Sequence, residues 1–350
     1  MINSFERRIY MRKYLLPKEG TFYKANLHCH TTVTDGKLSP EEIKKEYMKK
    51  GYSVVAYTDH NVFLDYQHLT DEKFVALNGV ESNTPADGGG PLSKDSKVCH
   101  FCAIAKDKTN LILPCYHREK YFHVGNAESY RSQVKFDESE PDYERYHCLA
   151  CVNDMMQRFK SAGFFVTYNH PGWSLERYPD YIGYRHMDAI EIYNGSCIHS
   201  GYADYNSKEY DDFLMKGRRI FCVGADDNHN RFPIDSADCE SFRAFTMLKA
   251  KSLTYEGIIE ALENGNFYAS QGPEIYELYY EDSKIYVKTS DCERITMSAN
   301  GRRNQTVRNQ GKGLTEGVFQ VTPDDGYIRI TVMDKYGKTA SSNGYFVDEF

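Results

Sequence analysis

Along the first two-thirds of the chain, short apolar, β-branched runs take turns with segments of helical spacing. The runs SVVAYTDH, FVALNGVES, KVCHFCAIA, FFVTYNHP, AIEIYNGS and RIFCVGADDNH read as strands. LSPEEIKKEYMKKG predicts a helix: Ser39 caps it, Pro40 takes the first helical position, Glu42 completes a capping box and Gly51 ends it. Further helices are predicted over 147–162 and 205–216. Strand–helix alternation of this kind predicts parallel strands joined by helical crossovers. Near residue 246 the pattern changes. TYEGIIEALENG is a short helix closed by Gly265, and from Phe267 onward strands follow one another, separated by turn pairs such as Asn300-Gly301 and Asp325-Gly326. That rhythm predicts a small β-sandwich-like module. The boundary falls near Gly272-Pro273, giving a unit over 1–272 and a module over 273–350. Residues 106–145 interrupt the first unit with a long polar, Tyr-rich excursion, read as a lid or specificity insertion beside a cleft.

Composition narrows the options. The 350 residues are 41% hydrophobic and 27% charged, as in ordinary globular proteins. Lys and Arg number 43 against 50 Asp and Glu, a net charge of −7, which argues against extended nucleic acid as a partner. A small phosphorylated substrate stays compatible, because bound metal ions can supply local positive charge. The N-terminal MINSFERRIYMRKYLLPKEG holds no apolar run of signal-peptide length, and no stretch approaches the roughly 18 apolar residues of a membrane span. The expectation is a soluble, cytoplasmic protein with no membrane partner. Two C-x-x-C pairs, Cys99/Cys102 and Cys148/Cys151, suggest a zinc ribbon on spacing alone. The first lies in a strand run and the second in a helix, with no turn residue inside either, so small buried thiols are the expected reading.

The chemistry concentrates at the strand ends. In NLHCHTTVTDG, strand alternation sends His28 and His30 to one side and Leu27 and Cys29 to the other, and Asp35 follows at loop distance. His60, Glu81, His100, His170, Asp227 and His229 sit at corresponding places on later runs. Nine imidazoles and carboxylates gathered on one rim are costly to cluster unless something pairs with them. The rim at strand C-termini is also where barrel enzymes build their sites.

His-x-His, then Asp-Gly, Thr58-Asp59-His60, Gly79-Val80-Glu81, single histidines and a final Asp-x-His resemble the polymerase-and-histidinol-phosphatase (PHP) family over about residues 25–230. The resemblance implies a distorted (β/α)7 TIM-like barrel with two or three divalent ions, Zn, Mn or Fe, and hydrolysis of phosphate esters. It implies that His28, His30, Glu81 and Asp227 hold one ion, with Glu81 bridging to a second held by His100 and His170. Asp35, His60 and His229 hold a third. Asp59 orients a ligand rather than binding metal. The motif GADDNH carries an additional Asp226, which is open to either role, and Arg231 and Trp173 are candidates to line the cleft and meet a phosphate. The leading expectation is a phosphomonoesterase acting on a small metabolite or nucleotide through activated water. The alternatives are a 5′-3′ exonuclease or phosphodiesterase on short oligonucleotides, and a metal-stabilised binding protein that uses its β module.

Overall fold

The computed structural model describes residues 12–87, 93–198 and 200–350. The basic N-terminal stretch discussed above lies outside them as far as residue 11. β1 (Lys13–Tyr14) and β2 (Thr21–Asn26) open the described chain. α1 (Pro40–Lys49) follows with the expected capping box: Glu42 N–H donates to Ser39 Oγ and Ser39 N–H to Glu42 Oε2. Then come β3 (Tyr52–Tyr57), β4 (Val75–Asn83), β5 (His100–Ala105), the short α2 (Ala127–Tyr130), α3 (Leu149–Ser161) and β6 (Phe164–Tyr168). They continue into α4 (Tyr178–Tyr181), β7 (Ala189–Asn194), α5 (Ser207–Met215), β8 (Phe221–Ala225), β9 (Phe245–Ala250), α6 (Tyr255–Glu263) and β10 (Phe267–Ser270). The rest is strand: β11 (Ile275–Glu281), β12 (Lys284–Thr289), β13 (Arg294–Ala299), β14 (Gln305–Arg308), β15 (Glu316–Gln320), β16 (Tyr327–Met333), β17 (Thr339–Ser342) and β18 (Tyr345–Phe346).

The fold is mixed α/β, rich in sheet and sparing in helix. Strands β2 to β8 lie side by side in chain order within a sheet of 14 strands. The expected closed barrel is not found. The edge of β2 that a closing strand would need is occupied by β9, which pairs antiparallel from Thr21–Ala250 to Ala25–Thr246. The ladder therefore runs outward through β10 and β17. The two ends of the β2–β8 run still meet at one rim: Cys29 bridges Asn228, His30 N–H donates to Asn228 O, and Asp227 N–H donates to His28 O.

Strand direction also departs from expectation. β5 is antiparallel to both β4 and β6. No helix lies in the described part of the β4–β5 connection, so that connection does not make the crossover a parallel pair requires. The reversal brings the start of β5, and with it His100, to the rim where the other strands end.

The strands after Pro273 divide between two sheets. β11, β12 and β15 form a separate sheet with β1, whereas β13, β14, β16, β17 and β18 extend the large one. Alternating inward residues of both, among them Leu278, Ile285, Val287 and Phe319 against Ile295, Met297, Ile330 and Val332, share one apolar core. The large sheet passes across the 272/273 turn through the β10–β17 pairing. Beneath, Arg329 of β16 is buried and reaches both oxygens of Asp211 in α5, at 3.1 and 2.7 Å. All ten cysteines are unpaired, and most are buried; Cys148, at the head of α3, is exposed. Among the described residues no helix is long and apolar enough to cross a membrane.

Candidate metal centre

Beyond β2 the chain stays extended. Cys29 N–H donates to Thr58 Oγ1, Thr58 N–H donates to Cys29 O, and Leu27 and Cys29 pack into the core. His28 and His30 therefore share the opposite side, as strand alternation requires. The loop that follows folds back sharply. A Cβ on Gly36 would stand 2.5 Å from His30 O, so only glycine fits there. Asp59 fixes this loop: its carboxylate accepts from Thr31 N–H and Thr31 Oγ1 at 2.8 Å each, from Thr34 Oγ1 at 2.6 Å and from Tyr66 OH at 3.2 Å. Asp59 thus positions the loop that carries Asp35.

All nine residues expected at the rim converge. Glu81, within β4, lies at the centre. Its carboxylate is 2.9 Å from His60 Nδ1, 3.1 Å from His100 Nδ1, 3.2 Å from His170 Nε2, 3.3 Å from His28 Nε2 and 3.5 Å from His30 Nε2. Asp227 Oδ1 is 3.1 Å from His30 Nε2 and 3.2 Å from His28 Nε2. Asp35 approaches His229 Nε2 at 3.3 Å and His60 Nε2 at 3.8 Å. The His30 ring lies 4.3 Å from each of the rings of His60 and His229, which are themselves 6.1 Å apart. His28, His30 and Asp227 offer converging donor atoms, as do His30, Asp35, His60 and His229, and also His60, Glu81 and His100.

Hydrogen bonding alone does not satisfy this arrangement. His30 Nδ1, His60 Nδ1 and Glu81 Oε2 are buried and none makes an aligned hydrogen bond, although the last two stand 2.9 Å apart, and His28 Nε2 and His30 Nε2 face each other at 3.0 Å. Buried polar atoms left without partners are costly. Imidazole nitrogens and carboxylate oxygens converging on shared points are the donor set of Zn2+, Mn2+ or Fe2+, so the residues present fit such ions. The electrostatics point the same way. Burial pushes Glu81 upward, yet the imidazoles of His28, His100 and His60 outweigh it and hold the carboxyl well below its ordinary range. Asp35 and Asp227 are likewise depressed against their burial. Burial and the neighbouring His229 and His60 pull His30 down to about 3, which leaves its imidazole neutral.

Three candidates play other parts. Asp226 is not brought into the cluster. Its carboxylate accepts from the backbone N–H groups of Phe242, Arg243 and Ala244 and from Tyr47 OH, and burial raises it to about 6. It pins the segment entering β9. Arg231 is exposed and lines the cavity beside the cluster. Trp173 lines the same cavity, its ring steeply inclined to those of His100 and His170, each 5.2 Å away.

That cavity measures about 1280 Å³. The cluster forms one wall. The 106–145 insertion adds Tyr121, Phe122 and His123 to the lining, and Arg145 and His147 follow at its exit. The insertion is tied down by Arg145, whose buried guanidinium donates to Asn61 Oδ1, Asn83 O and Cys115 O.

Sequence reasoning missed two supporting residues. Glu191 in β7 places Oε1 2.6 Å from His28 Nδ1, while Oε2 accepts from His170 N–H at 3.1 Å and from Asn194 Nδ2 at 2.9 Å. Asn169 donates to Glu81 Oε1 at 2.9 Å. The signal for Glu191 was a single charge inside the apolar run AIEIYN.

No protein-family model matches the chain. Over 91 residues it is 31% identical to a 5′-3′ exoribonuclease of Haemophilus influenzae, a match covering 25% of this chain and 30% of that protein's length. Three solved structures are similar at greater distance. A two-domain protein from Bacteroides vulgatus, assigned a PHP-like metal-dependent phosphoesterase domain, aligns with 96% of this chain and 98% of its own at 17% identity and a TM-score of 0.46. A protein from Bifidobacterium adolescentis assigned as a metal-dependent phosphoesterase covers 64% and 93%, at 16% identity and 0.38. An amidohydrolase from Chromobacterium violaceum with bound sulfate covers 59% and 87%, at 15% and 0.35. Two of these structures bear a PHP-like or metal-dependent phosphoesterase assignment, and the motifs of this chain resemble the PHP family.

Proposed function

We propose that the protein is a metal-dependent hydrolase that cleaves a phosphomonoester of a small metabolite or nucleotide. The observation that carries this reading is Glu81, buried and within 3.5 Å of five imidazoles, with one of its oxygens 2.9 Å from His60 Nδ1 yet out of hydrogen-bonding alignment with it. His28, His30, Glu81 and Asp227 would hold one ion, His100 and His170 with Glu81 a second, and Asp35, His60 and His229 a third. Such ions, when bound, offset the charge of the phosphoryl oxygens and acidify water. The chain's own residues prepare the site. Glu191 orients His28, Asp59 fixes the Asp35 loop, and Arg231 stands on the cavity wall where an anion would enter. We read β2–β8 as an opened relative of the (β/α)7 barrel, with residues 273–350 as an attached β module, and we place the enzyme in the cytoplasm.

Protein loaded with Mn2+ should hydrolyse generic phosphomonoesters, and His30→Ala should abolish turnover. Full activity in a metal-free preparation would overturn the reading. The exoribonuclease relative favours a second reading, stepwise cleavage of short oligonucleotides from the 5′ end. Mononucleotides tested beside short oligomers separate the two, since an exonuclease requires the phosphodiester and a phosphomonoesterase the terminal phosphate.

A further inference from the structure

A second titratable pair lies on the cavity wall, outside the nine-residue cluster. His147, just ahead of α3, lines the cavity and places Nε2 3.0 Å from Glu176 Oε1. The Glu176 side chain is wholly buried. Its other contacts are hydroxyl donors: Tyr168 OH donates to Oε2 at 2.6 Å, and Tyr184 OH donates to Oε1. Among the described residues no Lys or Arg pairs with Glu176. The nearby Lys97 is engaged by Asp180 at 2.8 Å. His147 is therefore the partner that can balance this buried carboxylate, and a buried charge is tolerated only when it is paired and hydrogen-bonded. The pairing fixes the imidazole: Nε2–H donates to Glu176, and in the imidazolium that balances this carboxylate the second proton sits on Nδ1, which has no hydrogen bond to the described residues.

The loop 170–176 joins this pair to the cluster. It carries His170, then Trp173 against the His100 and His170 rings, then Ser174 with Oγ 3.4 Å from His170 Nδ1, then Glu176. A carboxylate-oriented imidazole lining the same cavity as the nine-residue cluster is placed to meet the departing half of an ester held there.

We propose that His147, oriented by Glu176, is the catalytic proton donor to the leaving oxygen. This rests on the phosphomonoesterase reading above. As the oxygen of water bonds to phosphorus, the P–O bond to the leaving group breaks. The proton on His147 Nδ1 passes to the leaving oxygen, which departs as an alcohol, and the proton shed by the attacking water returns to solvent, from which His147 is reprotonated.

The test compares p-nitrophenyl phosphate, whose leaving group departs without a proton, with glycerol phosphate, whose alkoxide needs one. In the Mn2+-loaded full chain, His147→Asn should lower the glycerol phosphate to p-nitrophenyl phosphate ratio of kcat/KM by about 100-fold, the low end of general-acid contributions. Glu176→Gln should lower the ratio in the same direction by less. His147→Gln replaces the Asn variant if the latter does not fold, and metal content with the thermal midpoint monitors integrity. An equal loss on both substrates, or no loss, overturns the role of His147 while leaving the phosphoesterase reading intact. Absence of turnover on either substrate by the wild-type protein overturns both.

Discussion

Glu191→Gln is the change by which the supporting architecture of the centre can be measured apart from activity. The two carboxylate oxygens accept three hydrogen bonds, one from His28 Nδ1 at 2.6 Å and two, from His170 N–H and Asn194 Nδ2, at 3.1 and 2.9 Å. A glutamine keeps the shape but owns one acceptor oxygen. If its NH2 turns toward His170 and Asn194, donors face donors. If it turns toward His28, Nδ1 must become the acceptor and the ring proton moves to Nε2, the atom that faces His30, Asp227 and Glu81. The first orientation loses two hydrogen bonds and the second inverts one, so at least one charge-assisted bond is lost, worth about 1.5–3 kcal/mol. Loss of such a supporting contact typically weakens metal affinity about 10–100-fold, or about 1.4–2.7 kcal/mol, so the two figures agree. The assay is competition with a graded series of chelators, with bound Mn2+ counted by elemental analysis and the melting midpoint of the metal-free protein recorded alongside. An affinity within about threefold of wild type, with the metal-free midpoint unchanged, would refute the role assigned to Glu191.

Removing His28 or His30 should empty one ion position first, whereas Asp35→Ala should selectively weaken the position shared with His60 and His229; equal losses from all three variants in metal titrations would contradict the partition. Gly125 has φ of +53°, and a Cβ there would stand 2.1 Å from Thr34 O, so Gly125→Ala should lift the insertion from the Asp35 loop and speed limited proteolysis within 106–145. Arg329→Met should cost about 3 kcal/mol, the low end for breaking a buried pair because the Asp211 side chain is 24% exposed, and urea unfolding midpoints measure it.

Much of the site could be read from the chain because it depends on local rules. His28 and His30 share a side because strands alternate, and α1 begins at Pro40 because Ser39 and Glu42 form a capping box. Strand direction is different. The run KVCHFCAIA shows that a strand exists but not which way it runs, and His100, expected with the groups at strand ends, begins its strand. The choice between Asp226 and Asp227 turns on a reversal at Asp227, φ +52°, that faces one carboxylate to the cluster and the other to the N–H groups of 242–244. The Asp-x-His spacing favours Asp227 for the cluster, but it does not report what Asp226 does instead. β14 and β17 carry no strand signal in the sequence because QTVR and TASS are short and polar. The closed barrel failed as an expectation because β9 takes the free edge of β2, a long-range competition that periodicity does not report.

The strands after Pro273 bear on the centre through β7. In that strand Glu191 reaches His28, and two residues later Tyr193 OH lies 2.9 Å from both Thr339 Oγ1 and Ser341 Oγ of β17. Residues two apart on a regular strand share a face, but the β7–β8 register shifts between Glu191 and Tyr193, and an irregularity of this kind re-aims side chains. One strand thereby serves both the cluster and β17. The neighbouring β8 is held in the same way, with Cys222 N–H donating to Asn343 Oδ1 at 2.9 Å. A module that only shielded one face of the sheet would need apolar contact there, not buried, directional hydrogen bonds to the strands that carry Glu191 and lead into Asp227. These bonds fix β7 and β8 to about the precision of a hydrogen bond, which is the precision that a cluster with 3 Å spacings requires of its supports.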